Sequence, residues 1–192
     1  LNNSNLNGYH NLINCSLAIK LCELLNVKKI NIYDAINSFV NLPHRMEKVF
    51  SSKEILIIND SKATNGESAA AALSSYKNIF WIAGGISKED GIGNAINKMQ
   101  EVKHIILIGK SKQKFKKQIT NKNFKIPISE SKNLTNAIDI IFEKISKFKN
   151  EKKTILFSPA ASSFDEFKNF EDRGNQFKKI IKTKLQSEDL IC

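Results

Sequence analysis

Proline and glycine are scarce, three and eight among 192 residues. That is too few for a low-complexity linker or a fibrous repeat chain. The cysteines, Cys15, Cys22 and Cys192, are odd in number and lack metal-ligand spacing. They argue against a disulfide scaffold or a zinc module and suit a reducing cytoplasm. Cys15 and Cys22 lie seven apart, on one face of a predicted helix. They read as buried or inert thiols, because a reactive one would want a nearby base or an electropositive helix end. No apolar run comes near the ~20 residues a bilayer-spanning helix needs. Leu1-Asn2-Asn3-Ser4-Asn5 has neither an initiator Met nor a charged-then-apolar leader, so this start is expected to be a cut inside a longer protein.

Acidic residues are also few, 19 against 30 Lys and Arg, for a net charge of +11. Such a balance fits nucleic acid, an anionic membrane surface or anionic metabolites as partners. The lysines are scattered, however, as in Lys112-Gln113-Lys114-Phe115-Lys116-Lys117, and no nucleic-acid recognition motif accompanies them. Most therefore read as solvated surface charge, with some steering of a polyanionic substrate.

What is present is a core: hydrophobic residues make up 41%, too many for a disordered chain. Leu12, Cys15, Ile19, Cys22 and Leu25 recur at helical spacing and predict an amphipathic helix over 11–26. A second short helix is expected over 31–39, with Asn31 as its N-cap. A turn follows at Asn41-Leu42-Pro43-His44-Arg45, and a domain boundary is expected near residue 43. Beyond it the runs Ile55–Ile58, Ile79–Ala83, Ile105–Ile108 and Thr154–Phe157 alternate with helical patterns near 65–75, 92–99, 111–119 and 131–148. Continuous apolar strands imply burial on both faces, so the expected fold class is α/β, a Rossmann-like, mostly parallel sheet between helices. Lys48-Val49-Phe50 is expected to pair with 55–58 as an antiparallel edge hairpin. There is no internal repeat.

Each strand runs into small residues with a lysine or hydroxyls: Asn59-Asp60-Ser61-Lys62-Ala63-Thr64-Asn65, Gly84-Gly85-Ile86-Ser87-Lys88, Gly109-Lys110-Ser111, and Ser158-Pro159-Ala160-Ala161-Ser162-Ser163-Phe164-Asp165. Individually these are ordinary turns and caps, and Asp60 alone would pass for a helix cap. Together they gather cations and hydroxyls at the carboxyl edge of a parallel sheet, where open α/β folds bind ligands.

These segments resemble the D-glutamate-adding branch of the Mur ligases. Gly8-Tyr9-His10-Asn11-Leu12-Ile13-Asn14 and Leu42-Pro43-His44-Arg45 are similar to elements shared across Mur ligases. Asp60-Ser61-Lys62-Ala63-Thr64-Asn65 and the run from Ser158 to Phe170 are similar to elements particular to the D-glutamate branch. The resemblance extends from Gly8 to about Lys182. It implies an ATP- and Mg²⁺-dependent ligase that forms an amide between D-glutamate and UDP-N-acetylmuramoyl-L-alanine through an acyl phosphate, in the cytoplasm and as a monomer. Residues 1–43 would be the tail of a central ATP-binding domain and 44–192 the C-terminal domain that closes on it. By the same resemblance Thr64, Lys88, Ser163, Phe164 and Phe170 hold D-glutamate, the two phenylalanines through backbone amides and pocket shape. Asn11, Asn14, His44, Arg45 and Asp60 line the nucleotide site, Arg45 facing phosphates and Asp60 the ribose. Lys62 and Arg45 are the expected catalytic groups, His10 is expected to be structural, and no metal ligand is assigned.

Two departures stand out. Glu89-Asp90 follows Lys88, where two acids would compete for its charge, and a glycine-rich phosphate loop is absent from these 192 residues, so this chain alone is not expected to turn over. The rival readings are a sister amino-acid ligase such as a folylpolyglutamate synthase, and a non-catalytic basic module.

Overall fold

The computed structural model describes residues 3, 6, 8–122, 124–148 and 151–188. It divides into two compact units, Leu1–Leu42 and Pro43–Cys192.

The first unit holds two helices, α1 (Tyr9–Leu24) and α2 (Lys29–Ser38). Here two expectations are corrected. Helix α2 starts at Lys29, and its N-cap is Lys28 with no side-chain cap bond, so Asn31 lies inside the helix. Helix α1 is not amphipathic: Leu12, Ile13, Leu17, Leu21 and Leu24 are all exposed, and Cys15 is its buried apolar residue. Cys15 and Cys22 are both free thiols.

The second unit is a six-stranded sheet in the order β1-β2-β6-β3-β4-β5. Its strands are β1 (Glu47–Ser51), β2 (Ile55–Asn59), β3 (Ile79–Gly84), β4 (Val102–Ile108), β5 (Ile128–Glu130) and β6 (Lys153–Phe157). The β1–β2 hairpin is antiparallel, with a bulge between Lys48 and Phe50, and every other pairing is parallel. β2, β3, β4 and β6 correspond to the four apolar runs, and the edge hairpin is as expected. Strand β5 and the long helix α6 (Phe170–Ser187) had no counterpart in the sequence reading.

Chirality distributes the helices. From β2 through β5 the chain steps across the sheet in one direction, and right-handed crossovers put α3 (Gly66–Leu73), a 3-10 helix (Gly93–Lys98) and α4 (Lys112–Thr120) on one face. The return from β5 to β6 runs the other way, so α5 (Leu134–Ser146) lies on the opposite face, joined there by α6. Alternate strand residues follow suit. Ile58, Trp81, Leu107 and Leu156 pack with Ala69, Leu73 and Phe115, whereas Ile57, Ile82, Ile106 and Phe157 pack with Ile138, Ile141 and Phe177. The expected α-helix near 92–99 is the 3-10 helix, too short to close several α turns.

Asparagine starts three of these helices: Asn65, Asn133 and Asn169 accept from the backbone N–H groups of Ser68, Asn136 and Asp172 at 2.9, 2.9 and 2.7 Å. Asn65 rather than Asp60 is thus the cap after β2.

Candidate active site at the strand ends

The carboxyl ends of β2, β6, β3 and β4 meet along one rim, and a buried polar frame locks their loops together. Arg173, on α6, is fully buried. Its Nε donates to Ser61 Oγ at 3.0 Å, one terminal nitrogen to Ser61 O at 2.7 Å and the other to Ala161 O at 3.0 Å. It therefore staples the β2 loop to the β6 loop. Burial pushes its pKa down to about 10, opposed by Asp165 and Asp60, so it stays charged at neutral pH. Ser61 Oγ in turn donates to Phe170 O at 2.8 Å.

Asn59 is the second tie. Its Oδ1 accepts from Ser61 N–H at 3.2 Å, which fixes the amide so that Nδ2 faces His44 Nδ1 at 3.0 Å, Glu47 Oε2 at 3.0 Å and Gly174 O at 3.3 Å. Facing a donor, His44 Nδ1 must accept, which leaves the ring proton on Nε2. Burial, reinforced by Lys178, lowers the His44 pKa and agrees with this neutral state. Burial on its own would raise the Glu47 pKa; the His44 N–H and Lys178 override it and hold Glu47 below its usual range.

Asp60 is buried. Its Oδ2 accepts from Ser158 Oγ at 2.7 Å and its Oδ1 from Met46 N–H at 3.1 Å. Burial pushes its pKa up to about 7, against the pull of these two donors and of Arg45 and Arg173. Backbone strain collects at the same rim: His44, Met46 and Ala160 have φ of 63°, 45° and 55°, where a non-glycine residue is uncommon.

The loops of β3 and β6 are joined directly. Ile86 and Ser162 exchange backbone hydrogen bonds at 3.0 and 2.9 Å, and Gly84 N–H donates to Pro159 O at 2.8 Å. Gly85 makes this approach possible. Its φ is 137°, and a Cβ there would run into the Ser162 carbonyl. Asp165 Oδ2 accepts from Lys110 N–H at 3.0 Å and brings in the β4 loop.

Against this frame the expected residues fall into two groups. His44 and Asp60 are buried, the histidine ring bonded through Nδ1 and the aspartate through both carboxylate oxygens. Through these bonds both help to hold the segment that carries Arg45. Arg45, Lys62 and Lys88 are exposed, Thr64 is half-buried and Ser163 is buried. Among the described residues no side-chain hydrogen bond or ion pair uses Thr64, Ser163, Arg45 or Lys88. Neither Glu89 nor Asp90 forms an ion pair with Lys88. Lys62 Nζ lies 4.4 Å from the Phe170 ring centroid, and that ring packs edge-on against His44 at 6.3 Å. The Phe164 ring is 70% exposed. The N–H groups of Phe164 and Phe170 make no backbone hydrogen bond among the described residues; Phe170 opens α6, where the first N–H groups have no partner within the helix. Asn11 and Asn14 lie on α1 in the other unit, half-buried and exposed respectively, and the His10 side chain lies outside the described residues. No cluster of three or more His, Cys, Asp or Glu able to hold a metal ion occurs among the described residues, nor does any helix long and apolar enough to cross a membrane.

The sequence reading missed the frame itself: Asn59, Ser61, Ser158 and Arg173. An arginine on a helical pattern looks like a solvated cation. Only its placement opposite two loop carbonyls reveals it as a staple.

Comparison with known proteins identifies the family. Residues 44–161 match the model of the Mur ligase glutamate ligase domain. The chain belongs to that family. Among curated relatives, the UDP-N-acetylmuramoylalanine--D-glutamate ligase of Wolbachia sp. subsp. Brugia malayi is 41% identical over 92% of this chain and 34% of its own length. The enzyme of that name from Prochlorococcus marinus (strain MIT 9312) is 38% identical over 97% of this chain and 40% of its own. The chain thus spans between a third and two fifths of the length of these relatives. Among solved structures, UDP-N-acetylmuramate-alanine ligase from Thermotoga maritima matches 92% of this Mur ligase chain and 39% of its own, with a TM-score of 0.65 and 16% identity. A pseudomurein peptide ligase type C from Methanothermus fervidus does so over 92% and 36%, with a TM-score of 0.59 and 21% identity. These two establish the shared fold.

Proposed function

We propose that this chain is the amino-acid-delivering part of an ATP-dependent ligase that adds D-glutamate to UDP-N-acetylmuramoyl-L-alanine in peptidoglycan synthesis, a monomeric enzyme of the cytoplasm. The observation that carries the reading is the division of labour at the rim. Asn59, Asp60, Ser61 and Arg173 are consumed in fixing the loops, while Thr64, Ser163, Arg45 and Lys88 keep their polar groups open. A frame of this kind makes the open groups rigid, which a site for a small dianion needs.

In this reading Lys88 meets one carboxylate of D-glutamate, and the hydroxyls of Thr64 and Ser163 meet the same or the other. The free amides of Phe164 and Phe170 add donors of fixed direction. Holding both carboxylates sets the single amine in line for attack on the activated carbonyl. Arg45 and Lys62 suit phosphate oxygens: both are exposed cations, Arg45 just before β1 and Lys62 just after β2, and Phe170 supports the Lys62 ammonium from one side. Asn11 and Asn14 are nucleotide-binding in our assignment, with residues 1–43 the tail of a central ATP-binding domain and 44–192 the C-terminal domain. ATP, when bound, supplies the phosphoryl group that activates the acceptor carboxylate, and Mg²⁺ would offset phosphate charge. The cations of the rim would meet those phosphates. His44 and Asp60 keep Arg45 in place through the strained turn.

The test is thermal unfolding with D-glutamate, L-glutamate and no ligand. At roughly a hundredfold excess over Kd, a ligand of the folded state stabilises it by about 2.7 kcal/mol, worth several degrees here. D-glutamate alone is expected to raise Tm. An equal response to both enantiomers, or a response to L-glutamate alone, would favour a sister ligase. Binding of D-glutamate neither by this chain nor by the full-length enzyme would sink the proposal.

A further inference from the structure

Helix α4 addresses the loop that carries Lys88 through one row of polar groups. Ser111, Lys114 and Gln118 are spaced by three and four residues and so share one side of the helix. Ser111 N–H donates to Gly85 O at 2.9 Å, and its Oγ accepts from Ser87 N–H at 2.8 Å. Lys114 Nζ donates to Lys88 O at 3.0 Å and to Glu89 O at 2.8 Å. The Gln118 amide donates to Asp90 O at 3.1 Å and accepts from Ile92 N–H at 3.0 Å. From residue 85 to residue 92 the loop backbone is laced to this single row.

Two details set the row apart from incidental surface bonding. Ser111 is the N-cap of α4, yet its hydroxyl makes no cap bond to its own helix; the side chain that would ordinarily stabilise the helix start serves the Ser87 amide. Lys114 stands among many lysines and finds no carboxylate: its ammonium binds the carbonyl of Lys88 itself and that of the next residue. The helix is a fixed platform for these contacts, because Phe115 and Ile119 are completely buried in the core beneath it.

We propose that the Ser111–Lys114–Gln118 row positions Lys88 for the carboxylate of the amino-acid substrate, with Lys114 as the residue that sets the loop's conformation. This rests on the reading of Lys88 as a carboxylate-binding group. Lys114 touches no substrate; it acts by holding the backbone from which Lys88 projects, in a loop whose other charges, Glu89 and Asp90, would otherwise be free to approach that ammonium.

The experiment is steady-state kinetics of the full-length ligase with Lys114→Met, Lys114→Arg, Lys88→Met and the Lys114→Met/Lys88→Met double variant. Lys114→Met is expected to raise KM for D-glutamate about tenfold while leaving KM for ATP unchanged and kcat within about twofold, because ground-state placement of the substrate is what is lost. Lys114→Arg, which still donates to carbonyls, is expected to recover most of that. In the Lys88→Met background the second substitution is expected to add nothing, since two residues acting through one contact are not additive. Additive effects in the double variant would overturn the proposal. So would an unchanged KM in Lys114→Met alongside a raised one in Lys88→Met. An unchanged KM in Lys88→Met would instead overturn the underlying assignment of Lys88. Gln118→Leu gives the same KM split independently should Lys114→Met fold poorly.

Discussion

Asp60 is held where burial works against its charge. In an unfolded chain its carboxyl titrates at the usual ~3.9, whereas in the folded protein it is pushed up to about 7. Between those values the folded state retains a proton that the unfolded state has released. Asp60 therefore makes the protein less stable as pH rises from about 4 to about 7, with no further change above. His44 has the opposite sign: its lowered pKa costs stability as the pH falls through the histidine range. Comparing wild type with Asp60→Asn by thermal unfolding isolates the first effect, because His44 is present in both. The variant loses an acceptor for Met46 N–H or Ser158 Oγ and is expected to be less stable at pH 5, with a deficit that narrows by pH 8. A deficit that stays constant across this range would mean Asp60 does not titrate there.

At the scale of elements, helix α6 is the clamp that closes the rim, and Gly174 is the point of its closest approach. A Cβ at Gly174 would overlap the His44 ring. Replacing a helical glycine by alanine ordinarily gains up to about 1 kcal/mol of helix propensity. Here the substitution must push His44 off Asn59, and Gly174→Ala is expected to lower stability by roughly 1–3 kcal/mol as an overpacked contact does; chemical denaturation reads the sign directly. This clamp was the least legible part of the sequence. The apolar runs announced β2, β3, β4 and β6 because a strand buried on both faces needs nothing but apolar side chains. The three-residue β5 and α6 did not stand out: β5 is only half-buried, and α6 is rich in lysine with its apolar positions spread along 18 residues. Thr64, Lys88 and Ser163 were readable as candidates through motif resemblance. The frame that ties the loops together relies on bonds between residues 98 to 115 positions apart, such as Ser158 on Asp60 and Gly174 on Asn59, and no local pattern encodes such pairings.

At the scale of the whole molecule the two units differ in kind. Every member of the two apolar clusters lies between Met46 and Leu185, so the second unit has its own core. Among the described residues of the first unit the buried hydrophobic ones are Cys15 and Ile32, while Tyr9, Leu12, Leu17, Leu21, Leu24 and Leu25 are exposed. A helix apolar on all sides is one that ordinarily sits inside a larger body. A chain spanning residues 43–192 is therefore expected to unfold cooperatively within a few degrees of the 192-residue chain and to bind less of an apolar fluorescent dye. Loss of the cooperative transition on removing 1–42 would mean the sheet domain depends on the helices.

The position of β6 has a consequence for how the molecule is made. This strand is the last to be synthesised, yet it lies between β2 and β3 in the finished sheet. Until it leaves the ribosome, the nascent chain can assemble only a β1–β2 ribbon and a separate β3–β4–β5 block, each with an open apolar edge. Such edges are templates for pairing with other chains, and closing them requires contacts distant in sequence, which form slowly. The sheet of this domain therefore cannot close until β6 has emerged. Any stop codon or pause upstream of residue 153 leaves two sticky half-sheets in place of a smaller folded domain.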